Sequence, residues 1–299
     1  MEYNQTPVLD FTAGTLLKIR AYVELLKLRL SFLVVFSSAF GYVLGNKGVW
    51  DWPSFFLFCL GGFMISGSAV TLNQIFETSY DRVMKRTKDR PLPTGKINSL
   101  EAFIYAAGLL MAGFFIILVS ANMLTAMLSL VSLILYALIY TPLKRVGPVA
   151  VLVGAIPGAL PPLLGWTAAT GTIAFEALII FGIQFIWQFP HFWAIAWIAD
   201  DDYKKAGFKL LPGNGKKDLN TAFQIMIYTL FLIPLGLLPA TFGLTGIYSA
   251  MIATVCGVLF LAQTFRHMRN CSRESALWIM YGSFIYLPIV QIAFLFDKL

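Results

Sequence analysis

Residues 55–97 read FFLFCLGGFMISGSAVTLNQIFETSYDRVMKRTKDRPLPTGKI, a sequence that passes from an apolar run to a densely charged one. The first 18 of these residues carry no charge, which is enough to cross a hydrocarbon core of about 30 Å as an α-helix. The remaining 25 include three acids and six bases. Membrane topology accounts for bases at the end of a spanning helix, but acids contribute little to orientation. The acids therefore indicate a site.

The rest of the chain repeats the apolar pattern and indicates an all-α polytopic membrane protein. The chain has 299 residues, of which 58% are hydrophobic and 12% charged, and its mean hydropathy is +0.76. A soluble domain carries about 25% charged residues. An outer-membrane barrel is excluded because the apolar runs are continuous and do not alternate with a period of two. Nine transmembrane helices are predicted, at 28–46, 52–76, 99–119, 121–141, 149–166, 173–199, 221–239, 243–264 and 276–296.

Basic residues divide sharply between the two sets of loops that these spans define. All but two of the 22 Lys and Arg residues fall on one side, the exceptions being Lys47 and Lys298. Under the positive-inside rule that side is cytoplasmic, so the N-terminus is predicted to be cytoplasmic. We therefore predict a cytoplasmic N-terminal segment over 1–27 and a single transmembrane domain over 28–299. The opening residues show neither a cleavable signal nor the composition of a transit peptide, which favours a bacterial inner membrane.

Three polar residues, Asn73, Glu77 and Asp81, follow one another at intervals of four where the second span leaves the membrane. Each step of four residues overshoots a full helical turn by only about 40°, so the three side chains share one face. Carboxylate and amide oxygens suit Mg²⁺, a cation that usually shares its ligands with phosphate. The alternative is a solvated helix end with internal Glu–Arg ion pairs.

A second acidic cluster, Asp200–Asp202, ends another long apolar run. Adjacent aspartates repel one another unless a cation or bases such as Lys204 and Lys205 compensate. The order of residues repeats that of the first cluster: acids, bases, Leu-Pro, then Gly and Lys. A weak internal repeat would bring the two clusters face to face across one cavity mouth.

Acids that face acids beside several bases favour a metal-bound polyanion, because Mg²⁺ bridges carboxylates to phosphate oxygens. The apolar spans below would hold a hydrophobic tail. The residues thus predict a prenyl diphosphate as the substrate. The bases expected around it are Arg86, Arg90, Lys144, Arg145 and Lys204.

Four stretches resemble the UbiA superfamily of intramembrane prenyltransferases, and most closely its heme-modifying branch. They are NQIFETSYDRVMKRTKDRPLPTGKI (73–97), YTPLKR (140–145), WQFPHFWAIAW (187–197) and DDYKKAGFKLLP (201–212). The first resembles the superfamily pattern N-x-x-x-D-x-x-x-D, with Glu77 at the middle position. The second acidic motif departs from the family, because a contiguous triplet replaces a spaced pair. Which aspartate ligates metal is left open, with Asp202 favoured, then Asp201.

The resemblance implies a UbiA-like bundle in which farnesyl diphosphate, heme B and water give heme O and diphosphate, with Mg²⁺ as cofactor. It implies catalytic roles for Asn73, Glu77, Asp81 and Asp202. It implies metal ligands at Glu77, Asp81, Asp201 and Asp202. It implies diphosphate contacts at Arg86, Arg90, Tyr140, Lys144, Arg145, Tyr203 and Lys204. The expected partners beyond the substrates are the lipid bilayer and a downstream heme-modifying enzyme or terminal oxidase, and no nucleic acid.

Histidines and small residues complete the candidate features. His191 is predicted to be a heme contact, the alternative being a hydrogen bond within the bundle; His267 falls in a basic loop, which weakens a two-histidine heme site. The stretch GAIPGALPPLLGW (154–166) predicts close helix packing around a bent span.

Three other functions compete with that of a heme-modifying enzyme. Another UbiA-type prenyltransferase, acting on an aromatic or quinone-precursor acceptor, would share the acidic motifs. A secondary transporter would bury acids near the bilayer midplane, whereas here they cluster at helix ends and the cores of the spans are free of charge. A structural subunit of a respiratory complex would not need two charged clusters on one face.

Overall fold

The computed structural model describes residues 8–213 and 215–299. Within them, nine helices are long and apolar enough to cross a membrane, which confirms the predicted number of spans. A further helix, α1 (Val8–Leu25), precedes them. The spanning helices are α2 (Leu28–Gly45), α3 (Trp52–Asp81), α4 (Ser99–Ser120), α5 (Met123–Leu143), α6 (Val149–Thr170), α7 (Phe175–Lys205), α8 (Leu219–Thr241), α9 (Ile247–Asn270) and α10 (Arg273–Phe296).

Two helices, α3 and α7, extend further than their apolar runs. The predicted spans end at 76 and 199, whereas the helices continue to Asp81 and Lys205. Hydropathy marks the part of a helix that lies in hydrocarbon, but backbone hydrogen bonding continues wherever helix-forming residues follow. Both acidic clusters consequently lie on regular helical turns.

The centre of the bundle is formed by α6 and α7, the two most buried spans. The backbones of α2 and α6 lie in direct contact, because a Cβ on Gly41 would overlap the carbonyl of Pro162 and one on Gly165 would overlap the carbonyl of Ser38. Membrane helices rely on such small residues for close approach. The predicted close packing around 154–166 is therefore present.

Polar residues of α7 support the proline-rich segment of α6. Pro162 has no N–H, which leaves the carbonyl of Gly158, four residues earlier, without its helical donor. The side-chain amides of Gln184 and Gln188 donate to that carbonyl oxygen at 2.8 and 3.0 Å. The Gly158 carbonyl is thereby hydrogen-bonded from the neighbouring helix, as the interior of a membrane requires.

The first helix meets α2 at a sharp break. Lys27 has φ 44° and ψ 59°, the left-handed region of the backbone. The carbonyl oxygen of Leu25 accepts a hydrogen bond from the Gln74 side chain of α3 at 2.8 Å. The predicted division into a cytoplasmic segment over 1–27 and a domain over 28–299 stays a prediction, and residues 1–7 of that segment lie outside the described part of the chain.

Candidate active site at the charged end of the bundle

The first acidic cluster forms a buried stripe along the last turns of α3. Asn73, Glu77 and Asp81 are 1%, 5% and 0% exposed, although two of them are acids at a helix end. We call these three residues the acid stripe. Buried carboxylates require compensating charge or strong hydrogen bonds, because burial disfavours the ionised form.

Each member of the acid stripe contacts one base, and the three bases come from three different segments. Lys144, just after α5, places its Nζ 2.7 Å from Oε1 of Glu77. Arg90, in the loop after α3, donates to Oδ2 of Asp81, also at 2.7 Å. The sequence predicts these bases near the acids but assigns no partner to either. The structure pairs each base with one acid.

The third base is Lys27, one of the Lys and Arg residues on the predicted cytoplasmic side. Its Nζ lies 3.4 Å from Oδ1 of Asn73. Burial and the nearby Arg90 charge lower the pKa of Lys27 to about 7, so a bound anion would favour its charged form. A lysine immediately before a membrane span matches the positive-inside pattern, and no signal in the sequence separates it from the other bases.

The oxygen atoms of the acid stripe fit a hard cation. Oδ1 of Asp81 is buried and has no hydrogen-bond partner, although its second oxygen pairs with Arg90. An orphaned buried carboxylate oxygen is costly unless it serves a ligand. Among the described residues no three His, Cys, Asp or Glu side chains come together as a complete metal site. Mg²⁺ bound here would take few protein ligands and complete its shell with water or phosphate, as is usual for that ion.

A π-helical segment, Leu135–Tyr140, lies at the charged end of α5 and supports the acid stripe. Such segments are rare and occur often at functional sites. The hydroxyl of Thr141 accepts a hydrogen bond from Nδ2 of Asn73 at 3.1 Å. Tyr140 is buried, and its ring lies beneath Nζ of Lys144 at 4.6 Å from the ring centroid. The π segment and the residue that follows it thus contact Asn73 and Lys144.

The second acidic cluster lies beside the loop that follows the first. Asp202 accepts hydrogen bonds from the backbone N–H groups of Lys85 and Arg86 at 3.3 and 3.2 Å. Asp200 is buried and pairs with Lys204 at 2.7 Å. The side chain of Asp201 is 87% exposed and lies 3.5 Å from Lys217. The two clusters therefore adjoin through this loop, and Asp201 contacts Lys217 whereas Asp202 contacts the loop backbone.

The other predicted diphosphate contacts lie outside the acid stripe. Arg86 and Arg145 are exposed, and the guanidinium of Arg145 lies over the ring of Tyr80 at 4.4 Å. Tyr203 is half-buried, with its ring 6.1 Å from that of Phe208. Their roles, and that of Lys204, stay predictions.

The two histidines occupy similar buried positions in the bundle. His191 on α7 lies 2.8 Å from the Ser283 hydroxyl of α10 through Nδ1, and its ring stacks on Trp187 at 4.5 Å. The prediction that His267 lies in a basic loop is wrong: it is in α9, fully buried, with Nδ1 2.7 Å from the Ser275 hydroxyl. Helix α9 continues to Asn270 because its last turns, although basic, still pack against α7 through Trp197.

The sequence matches the model of the UbiA prenyltransferase family over residues 34–287. A protein named protoheme IX farnesyltransferase from Cytophaga hutchinsonii is 52% identical, over 94% of this chain and 98% of the relative. Another of that name, from Christiangramia forsetii, is 42% identical over 93% of each chain.

Solved structures share the fold. A digeranylgeranylglyceryl phosphate synthase superimposes with a TM-score of 0.77 at 20% identity, covering 94% of this chain and 98% of that one. A UbiA homolog from Archaeoglobus fulgidus bound to GPP and Mg²⁺ superimposes with a TM-score of 0.65 at 17% identity, covering 92% and 99%. The chain therefore belongs to the UbiA prenyltransferase family.

Proposed function

We propose that this protein transfers the farnesyl group of farnesyl diphosphate to a vinyl group of heme B, giving heme O and diphosphate. The observation that carries the proposal is the acid stripe, three buried oxygen-bearing side chains each matched to one base at the charged end of a helical bundle. Two relatives, at 52% and 42% identity, are named protoheme IX farnesyltransferase, which supports heme as the acceptor. We place the protein in a bacterial inner membrane with its acid stripe on the cytoplasmic side.

The acid stripe would hold Mg²⁺ through Glu77 and Asp81, with Asn73 beside them. When bound, the metal supplies positive charge that stabilises the departing diphosphate. Lys144 and Arg90, now paired with the two acids, would donate to diphosphate oxygens and complete the clamp.

Transfer of the farnesyl group would take place deeper in the membrane than the acid stripe, where the spans are apolar. The allylic carbon–oxygen bond breaks, and the vinyl carbon of heme forms a new carbon–carbon bond to the farnesyl group. Water then adds to the resulting cation and releases a proton, which gives the hydroxyl group of heme O. Apolar side chains around this region exclude other water and protect the cation. A downstream heme-modifying enzyme or terminal oxidase would receive the product.

The proposal is tested by a mass-spectrometric heme profile of bacterial membranes that express this chain and otherwise lack heme O. We expect a new heme that is heavier than heme B by one farnesyl group plus one hydroxyl group. If heme B alone is present while the purified protein with Mg²⁺ still consumes farnesyl diphosphate, the acceptor is a different molecule. If folded protein neither forms a new heme nor consumes farnesyl diphosphate, the assignment of prenyl transfer is wrong.

Asp201 and Asp202 are expected to differ in their effect on turnover. We expect Asp202→Asn to lower turnover about tenfold, because its carboxylate orders the loop that carries Arg90 through two backbone hydrogen bonds. We expect Asp201→Asn to change turnover less than twofold, since its side chain is 87% exposed. Initial rates of farnesyl transfer in matched membrane preparations measure both. Equal loss in both variants would restore a metal-ligand role for Asp201.

His191 provides a test of the acceptor side. We expect His191→Ala to reduce heme use at least about tenfold while binding of farnesyl diphosphate is retained, because the histidine lies on α7 two to three turns before Asp200. Ser283→Ala, which removes its hydrogen-bond partner, serves as the control for packing. Heme titration by absorbance and prenyl diphosphate binding are measured separately. Equal loss of both substrates, or of neither, would make His191 structural.

A further inference from the structure

Lys27 occupies an unusual backbone position between α1 and α2. Its φ of 44° lies in the left-handed region, and among the described residues only Cys271 shares a positive φ without being glycine. Side chains with a Cβ adopt this conformation at a cost in free energy. The surrounding structure must therefore hold Lys27 there.

Buried polar side chains from two helices hold the break at Lys27. Gln74 of α3, which is 1% exposed, donates to the carbonyl oxygen of Leu25 at 2.8 Å. Ser31 of α2, which is 0% exposed, donates to the carbonyl oxygen of Leu26 at 2.8 Å. Both carbonyls directly before Lys27 are thus fixed, and the direction of its side chain follows.

The side chain of Lys27 points into the acid stripe at its innermost member. Its Nζ lies 3.4 Å from the Asn73 amide oxygen, and Asn73 precedes Asp81 by eight residues, about 12 Å along the helix. Arg29, only two residues later, is exposed. The two bases share the start of α2, but only Lys27 contacts a residue of the acid stripe.

Charge distinguishes Lys27 from the other two bases of the acid stripe. Lys144 and Arg90 each contact a carboxylate at 2.7 Å, whereas Lys27 contacts a neutral amide. A half-buried ammonium group without a contacting anion is costly, and an anionic ligand would supply the missing partner. The most highly charged ligand expected at this end of the bundle is the diphosphate of the prenyl donor.

We propose that Lys27 is a further substrate-binding residue, whose ammonium group binds the diphosphate of the prenyl donor at the inner end of the acid stripe. This assignment rests on the proposed function, because it requires a prenyl diphosphate at the acid stripe. The left-handed conformation of Lys27, between α1 and α2, places its amine next to Asn73. Lys27 thereby joins Lys144 and Arg90 as the third base of the clamp.

The experiment uses the purified protein, Mg²⁺ and farnesyl S-thiolodiphosphate, a donor analogue that reacts slowly. Lys27→Asn removes the charge but suits the left-handed backbone, because asparagine tolerates that conformation. We expect this variant to keep or raise the unfolding temperature and to weaken analogue binding at least tenfold, with heme binding unchanged. Lys27→Arg should recover binding to within about threefold, and the control Arg29→Gln should stay within twofold of the unmodified protein.

Each other outcome has a distinct meaning. Unchanged analogue binding by Lys27→Asn would overturn the assignment and leave Lys27 with a purely local backbone role. Loss of heme binding with intact analogue binding would also overturn it, because the amine would then serve acidic groups of the acceptor. If the unmodified protein shows no Mg²⁺-dependent binding of the analogue, the proposed function fails together with this inference.

Discussion

Glu77→Gln and Asp81→Asn are each expected to reduce turnover at least ~100-fold while the protein still inserts into the membrane. Both substitutions keep the size of the side chain and remove its negative charge. Glu77 and Asp81 are 5% and 0% exposed, so ions from solvent cannot take the place of the lost carboxylate. Loss of either carboxylate removes a proposed metal ligand and leaves Lys144 or Arg90 without its ion-pair partner. Initial rates of farnesyl transfer, normalised to folded protein, measure the effect.

Two controls separate catalysis from folding. Removing one partner of a buried ion pair destabilises a protein by about 3–5 kcal/mol, so a Glu77→Gln variant has a structural cost as well. The double variant Glu77→Gln/Lys144→Met removes both charges and is expected to regain stability without regaining turnover. Glu176→Gln, which changes an acid at the opposite end of a span, should retain full activity. Full turnover in both single variants, at normal expression, would contradict a metal clamp on the acid stripe.

Spacing alone was sufficient to predict the acid stripe. Intervals of four place Asn73, Glu77 and Asp81 on one helical face, provided that the helix continues past the apolar run, and α3 does continue to Asp81. The number of spans was likewise predictable, because a 30 Å hydrocarbon core imposes a minimum length on each apolar run. Local rules of helix geometry and burial are therefore enough for these features.

Contacts between distant segments were not predictable in the same way. Asp202 binds the backbone N–H groups of Lys85 and Arg86, and a backbone amide carries no sequence signal for its partner. Lys27 resembles any other base before a span until the left-handed break directs it inward. The burial of His267 was not predictable either, because its ring packs against Trp197 of another helix.

The charge-free span cores and the paired acids also separate an enzyme from an ion transporter. A transporter places its acids near the midplane of the bilayer, where they bind the transported ion. Here Glu77, Asp81 and Asp200 lie at helix ends, and each pairs with a base. An ion path through the bundle would need acids that these spans do not carry in their cores.

Removal of divalent metal is expected to abolish farnesyl transfer and to leave the fold intact. Exhaustive dialysis of the purified protein against EDTA should remove turnover, and added Mg²⁺ should restore it. The fold should survive because Lys144 and Arg90 neutralise Glu77 and Asp81 without a metal ion, through contacts of 2.7 Å. The unfolding temperature should consequently shift little between metal-free and Mg²⁺-containing protein without substrate. Thermal unfolding and initial rates, measured on the same samples, test both statements.

The Mg²⁺ requirement of a ligand variant makes this prediction specific to the acid stripe. Asp81→Glu keeps the charge but moves the carboxylate, so residual turnover should need at least ~10-fold more Mg²⁺ than the unmodified protein. Asp201→Asn should need no more Mg²⁺ than the unmodified protein, because its side chain is 87% exposed and lies 3.5 Å from Lys217. Turnover that persists after chelation would mean that Glu77 and Asp81 orient Lys144 and Arg90 toward the diphosphate and bind no metal. A higher Mg²⁺ requirement in Asp201→Asn alone would move the metal to the second acidic cluster.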